Sequence, residues 1–282
     1  MRIILLDSEA RYLSETPLAL TPLLGKPLLE RVCEYWLKRG ATRFDIVLSD
    51  SSRELQERLG EGEKWGVHLS YHSTLNPIEM GEDRVVVGRL ESFPPPSGLT
   101  ELPCVTVSPD QQWTGWAFAP QSAVQRLVQG HLPYDLQQVY HPARAIGSRD
   151  SFLSLQLFML REGCVEAREE TPGIWVAPGA VIHPTARLSP PLYIGKNSII
   201  DADVSLGPAV VVDRNCLVAR GCDLVDCWVQ PRAAVRPGRK ATGEFIAKNS
   251  VSDGLKRFIR RIAKFTTLVW GSQNGPDISK AS

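Results

Sequence analysis

From Val176 to Val229 an aliphatic residue returns every six positions, at Val176, Ile182, Leu188, Ile194, Ile200, Leu206, Val212, Val218 and Leu224. A small or apolar residue follows four places later in each unit, at Ala180, Ala186, Leu192, Ser198, Val204, Val210, Cys216, Cys222 and Trp228. A helical face repeats every 3.6 residues, so this rhythm excludes a helix. It suits short strands that turn corners, each coil stacked on the last at the usual strand spacing of about 4.8 Å. Three units per coil give three coils over these nine units, with Cys216 and Cys222 as equivalent inward positions. Gly195 and Gly207 share the second position of a unit and read as corner glycines.

Upstream the periods alternate. Ile3–Leu6 and Phe44–Leu48 are short apolar runs of the strand type, as are Val67–Tyr71, Arg84–Val87, Val105–Val107 and Trp116–Phe118. Pro27–Arg39 carries Leu28, Leu29, Val32, Tyr35 and Trp36 at helical spacing and closes at Gly40. Ser51–Leu59, Gln121–Gln129 and Ser151–Arg161 also read as helices. Strands alternating with helices predict a parallel sheet with helices on its faces, that is, an α/β domain. A boundary falls near Thr171-Pro172-Gly173. The chain thus divides into an α/β domain over residues 1–171, a coil over 174–240, and a segment over 252–282.

In that last segment Leu255, Phe258, Ile259, Ile262, Phe265 and Val269 fall on one helical face, and Lys256, Arg257, Arg260, Arg261 and Lys264 on the other. A basic amphipathic helix of this kind packs on the coil's open end, docks on a protein partner, or lies on a membrane surface. Residues 273–282 read as a tail. The net charge of +1 over 282 residues draws the chain to no nucleic acid. No apolar run reaches the length of a spanning helix, and the start, Met1 to Asp7, turns acidic too soon for a secretory signal. Six cysteines without a Cys-x-x-Cys pair fit a reduced protein. The expected location is the cytoplasm, with a peripheral position on the inner membrane surface if the basic helix binds lipid.

Leu20-Thr21-Pro22-Leu23-Leu24-Gly25-Lys26-Pro27-Leu28-Leu29 resembles the Leu-Leu-Pro-Val-x-Gly-Lys-Pro-Leu-Leu segment of sugar-1-phosphate nucleotidylyltransferases. Three further stretches are similar in the same order: Ala41 to Leu48, Trp65-Gly66-Val67-His68-Leu69-Ser70-Tyr71, and Ala145-Ile146-Gly147-Ser148-Arg149-Asp150-Ser151-Phe152. A coil of six-residue units follows, as in the mannose-1-phosphate guanylyltransferase and glucose-1-phosphate branches. The resemblance covers most of residues 1–230. It implies a shortened Rossmann-like nucleotidyltransferase domain and a left-handed parallel β-helix of hexapeptide repeats, with self-association through that helix.

The family's chemistry needs charge neutralisation around a triphosphate. The resemblance implies a Gly-x-Gly-Thr-Arg loop, a phosphate-contacting lysine and carboxylates that hold Mg²⁺. Here the loop reads Leu6-Asp7-Ser8-Glu9-Ala10-Arg11-Tyr12, with no glycine before Gly25. The lysine position falls on Leu18, and a metal-ligand position falls on Ala145. Loss of one preorganised charge contact commonly costs about 10²–10³ in rate. The expectation is therefore a silent family member, a regulatory or scaffold subunit of nucleotide-sugar or surface-polysaccharide synthesis, with no catalytic residue, no resident metal and no cofactor.

Residual ligand contacts fall on Asp7, Ser8, Arg11, Lys26, Asp50 and Asp110. Asp7 and Asp50 end predicted strands at the carboxyl side, where open α/β sheets bind ligands. Arg11 is the counterpart of the loop arginine and reads also as a surface arginine, Asp7 and Asp50 read also as loop caps or solvated carboxylates, and Lys26 reads also as a group that orients its loop by hydrogen bonding. Two alternatives stay open. One is an active nucleotidylyltransferase using Mg²⁺, Arg11 and Asp110. The other is a hexapeptide-repeat acyltransferase with His183 as general base.

Overall fold

The computed structural model describes residues 1–7, 17–48, 56–57, 59–75, 84–95, 103–133, 135–140, 146–162 and 167–247. The expected helix at Ser51–Leu59 and the basic segment beyond residue 251 fall largely or wholly outside them. No helix among the described residues is long and apolar enough to cross a membrane.

The first unit is a seven-stranded mixed sheet. Its strands are β1 (Arg2–Leu6), β4 (Arg43–Val47), β5 (His68–His72), β6 (Arg84–Arg89), β7 (Cys104–Val107), β8 (Trp113–Pro120) and β9 (Gln137–Tyr140), in the order β5-β4-β1-β6-β8-β7-β9. A small hairpin, β2 (Pro22–Leu23) and β3 (Lys26–Pro27), stands beside it. The expected all-parallel sheet needs one correction. β8 runs antiparallel to both β6 and β7, because only a short turn joins it to β7 and such a turn can only reverse the chain.

Helix α1 (Leu28–Leu37) buries Leu28, Leu29, Val32 and Trp36 on one sheet face. It stops at Gly40, whose φ of +84° is the left-handed conformation that ends helices at low cost in glycine. Helix α2 (Gln121–Val128) covers the opposite face with Ala123, Val124 and Leu127. Helix α3 (Arg149–Arg161) starts at a capping box between Ser148 and Ser151. Its run Phe152-Leu153-Ser154-Leu155-Gln156-Leu157-Phe158-Met159-Leu160 is apolar nearly all round, because it lies between the α/β core and the coil.

The coil has three parallel faces. Face 1 holds β11 (Ile174–Val176), β14 (Leu192–Ile194), β17 (Val210–Val212), β20 (Trp228–Val229) and β23 (Phe245–Ile246), preceded by the antiparallel β10 (Arg168–Thr171). Face 2 holds β12 (Val181–Ile182), β15 (Ile199–Ile200), β18 (Leu217–Val218) and β21 (Ala234–Val235). Face 3 holds β13 (Arg187–Leu188), β16 (Ser205–Leu206), β19 (Asp223–Val225) and β22 (Lys240–Thr242). Inward residues such as Ile194, Ile200, Leu206, Val212, Val218 and Leu224 form a dry interior. Cys216 and Cys222 join it as reduced thiols, and burial pushes the Cys216 thiol up to about 12, which keeps it unreactive.

Two expectations about the coil change. The winding outlasts the nine units, since strands continue through β21, β22 and β23. And Trp228 does not point inward. Tyr193 pairs with Val211 eighteen residues on, but Val211 pairs with Trp228 only seventeen on. One residue is missing from the corner after Leu224, so Cys227 takes the inward place and Trp228 turns out.

Turned out, Trp228 belongs to a ladder that holds the two units together. Trp175, Tyr193, Val211, Trp228 and Phe245 are register partners on face 1. They all pack with the α/β core. The Phe152 and Trp228 rings lie 4.8 Å apart, and Phe245 meets Trp228 edge-on at 4.5 Å. Asp213, at the corner after β17, is fully buried beneath this contact. Its carboxylate accepts from the Arg214 amide at 3.0 Å and from the Trp228 indole at 3.5 Å. Burial raises it to about 6, the two hydrogen bonds offsetting only part of the loss of solvation.

The folded state therefore holds this proton more tightly than the unfolded chain does, and Asp213 makes stability fall as pH rises from about 4 to about 6. In urea titrations Asp213→Asn should gain on the parent chain across that window, by on the order of 2–3 kcal/mol at pH 7 relative to pH 4. A difference between the two proteins that stays constant with pH would show Asp213 to be ionised at no cost.

Candidate functional site

The carboxyl edge of the central sheet is where β1, β4, β6 and β7 end. Asp7 follows β1, and its amide donates to the Val47 carbonyl at 2.8 Å, so the chain stays extended one residue past the strand. β6 runs two residues beyond its predicted end and delivers Arg89 to this edge as the register partner of Leu6. The Arg89 guanidinium stacks over Trp113 at 4.4 Å. Gly115 allows this close packing: its φ is +106°, and a β-carbon there would lie 2.9 Å from Ser92 Cβ and 3.5 Å from Arg89 Cβ.

Asp110 lies in the exposed turn between β7 and β8, closed by the Ser108 amide donating to the Gln112 carbonyl at 2.9 Å. It shares the carboxyl edge with Asp7, but β6 and β8 stand between β1 and β7. At ordinary strand spacing that separation is about 14 Å at the level of the strands, too far for the two carboxylates to share one ion there. Ser8, Arg11 and Asp50 lie outside the described residues. Among the described residues no group of three or more His, Cys, Asp or Glu side chains is placed to hold a metal.

Lys26 has a structural partner. Leu24 and Gly25, with φ of +50° and +85°, make the two-residue turn of the β2–β3 hairpin. Lys26 Nζ lies 2.5 Å from Glu34 Oε1 on α1. Arg31, itself buried, donates to the carbonyls of Leu23 at 3.1 Å and Leu24 at 2.7 Å. The coil completes the arrangement, since a β-carbon on Gly25 would stand 2.9 Å from the Tyr193 hydroxyl. The Gly-Lys-Pro segment is thus a joint between hairpin, helix and coil. Leu18, at the position where the resemblance implies a phosphate-contacting lysine, is 1% exposed within the hydrophobic core.

Three charged residues escaped the sequence reading. Arg31 carried a usable signal, because it sits three residues after Leu28 on the apolar side of α1. Arg89 follows a run that reads as a strand only as far as Val87. Asp45 gave none, being an acid inside a buried strand. It is fully buried, with Arg2 Nε at 2.6 Å, His72 Nε2 at 3.0 Å and Arg43 Nε at 3.6 Å, and it ties β1, β4 and β5 together. Burial alone would raise its carboxyl. The hydrogen bonds from Arg2 and His72 and the charges of Arg2 and Arg43 outweigh that and hold it below the ordinary carboxylate range.

A groove of about 200 Å³ between α1 and α3, lined by Arg31, Tyr35, Arg39, Phe93 and Met159 among others, contains none of the expected ligand residues. His183 is exposed at the start of the coil, its Nδ1 held 2.9 Å from the Thr185 hydroxyl.

No family model matches the chain. Among curated proteins it is similar to Low-salt glycan biosynthesis nucleotidyltransferase Agl11 of Haloferax volcanii, at 34% identity over 73 residues. That stretch is 25% of this chain and 20% of the relative, so the chain spans about a fifth of that protein's length. The likeness supports a nucleotidyltransferase-like relation over a quarter of the chain.

Gly25→Ala should destabilise by about 2–3 kcal/mol, the left-handed backbone and the Tyr193 hydroxyl contributing together. In a Tyr193→Phe background the steric share disappears and the cost should fall by about 1 kcal/mol; equal costs in both backgrounds would remove the joint. Asp45→Ala should cost about 3–5 kcal/mol at neutral pH because it removes the buried carboxylate on which the partly buried Arg2 and His72 converge. That difference should shrink as the parent is acidified through the depressed pKa of Asp45, since the ionised carboxylate is what stabilises the fold.

Proposed function

We propose that this chain is a nucleotidyltransferase-like protein of nucleotide-sugar or glycan synthesis that does not transfer nucleotides and serves as a regulatory or scaffold subunit. In this reading its coil is a left-handed β-helix of hexapeptide repeats through which copies associate. The observation that carries it is Leu18. An apolar, fully packed side chain takes the place where the resemblance implies a cation for the triphosphate. Without that cation, a glycine-free loop sequence that places Asp7 and Glu9 where the resemblance implies a polyphosphate sets two carboxylates against the ligand's own charge, with Arg11 as the one cation of that loop sequence.

The relative's name favours a second reading, an active sugar-1-phosphate nucleotidylyltransferase that rebuilds the site from Mg²⁺, Arg11 and Asp110. The two strands between β1 and Asp110 weigh against it.

Calorimetry of the full chain with GTP, UTP, dTTP and ATP in Mg²⁺, paired with a pyrophosphate-release assay on sugar phosphates, separates the two. The silent subunit should bind each triphosphate no tighter than about 1 mM, the weakest end of measurable affinity, and release no pyrophosphate. Micromolar binding with release overturns it.

A further inference from the structure

The three faces of the coil carry three different outward ladders. Face 1 shows Trp175, Tyr193, Val211, Trp228 and Phe245, and the α/β unit occupies it. Face 3 shows Arg187, Ser205, Asp223 and Lys240, a polar column suited to water. Face 2 shows Val181, Ile199, Leu217 and Ala234, an apolar column that, among the described residues, joins no cluster of the α/β core.

Burial along face 2 is uneven. Val181, on its first rung, is 43% exposed, whereas Leu217 is 4% and Ala234 5% exposed, and Ala219, at the corner just after β18, is 0% exposed. Leu217, Ala219 and Ala234 belong to none of the hydrophobic clusters formed by the described residues. An outward leucine in the middle of a flat parallel ladder loses its solvent only when something lies over it. The shielding is strongest on the later rungs, nearest the point where the described chain ends at residue 247.

We propose that residues 255–269 form a helix that lies in cis along face 2, running back from the last rung toward the first. Chain order supplies the route. After each earlier face-1 strand the chain enters face 2, and residue 247 leaves the face-1 strand β23. Residues 248–254 reach at most about 23 Å when extended, enough to pass the corner. A 15-residue helix is about 22 Å long, and the four rungs of face 2 span about 14 Å. The stripe Leu255, Phe258, Ile259, Ile262, Phe265 and Val269 meets an apolar column of comparable length. Lys256, Arg257, Arg260, Arg261 and Lys264 then point away from the coil. Face 1 is already filled, and face 3 offers charges to an apolar stripe, so only face 2 matches.

Hydrogen–deuterium exchange of the full chain tests this, read by mass spectrometry at two protein concentrations about twentyfold apart. Amides of 255–269 should exchange at least about tenfold slower in the parent than in an Ile259→Asp/Ile262→Asp variant, equally at both concentrations. The same variant should raise exchange at 217–219 while β1 and β4 keep their protection. Leu217→Arg should release 255–269 as well. If that substitution unfolds the coil, the Ile259→Asp/Ile262→Asp pair, which lies outside the coil, still decides. Unprotected exchange of 255–269 in the parent overturns the proposal, as does protection the variant leaves unchanged. Protection that grows with concentration would assign the stripe to a second copy. Protection that arises only with anionic phosphatidylserine vesicles would assign it to a membrane. Either result also overturns packing in cis.

Discussion

Parallel stacking makes every position in a coil a column. Each residue sits about 4.8 Å above its counterpart in the previous turn, so a column is uniformly apolar, uniformly polar, or strained. The rest of the structure depends on the outward column of face 1, where Trp228 stacks on Phe152 and Phe245 closes against it. That column explains why α3 is apolar on nearly every side, why Asp213 is sealed from water beneath the Trp228 indole, and why Gly25, facing the Tyr193 hydroxyl, has no room for a β-carbon. Core-sized aromatic burial of this kind makes the coil and the α/β unit one packed body rather than two beads on a linker.

Period was the part of the fold most legible in the chain. The six-residue return of aliphatic residues marks the inward columns of the coil because water-excluded positions accept little else. The same regularity misled at Trp228. A residue dropped at a corner changes the count without changing the direction of the next strand, since the corner absorbs it. Counting by six then lands on Trp228, while stacking puts Cys227 inside. The reversal of β8 was harder to see for a related reason. Strand propensity carries no direction, and only the length of the connection to β7 holds that information.

The candidate site divides along similar lines. Strand ends are legible, so Asp7 could be expected at the carboxyl edge. Which strand lies beside which is not, so the distance between Asp7 and Asp110 emerges only from the order β1-β6-β8-β7. Buried ion pairs are the least legible. Asp45 lies within an apolar run, and its partners come from β1, from β5 and from two residues back on its own strand, positions that nothing in local sequence connects. Burying such a group is tolerable only when several donors converge on it, and convergence is a property of the fold.

The residues that carry the family resemblance most strongly are not the ones that would carry the chemistry. Leu23, Gly25 and Lys26 are held by a turn with two left-handed residues, an ion pair to Glu34, two hydrogen bonds from the buried Arg31 guanidinium and the edge of Tyr193. Each requirement is steric or electrostatic and is met within the protein, with no ligand involved. A chain can therefore keep this segment for the sake of its joint while Leu18, a few residues upstream, serves as ordinary core. Likeness in the Gly-Lys-Pro segment is for that reason evidence about architecture, and activity has to be argued from the charges along the carboxyl edge.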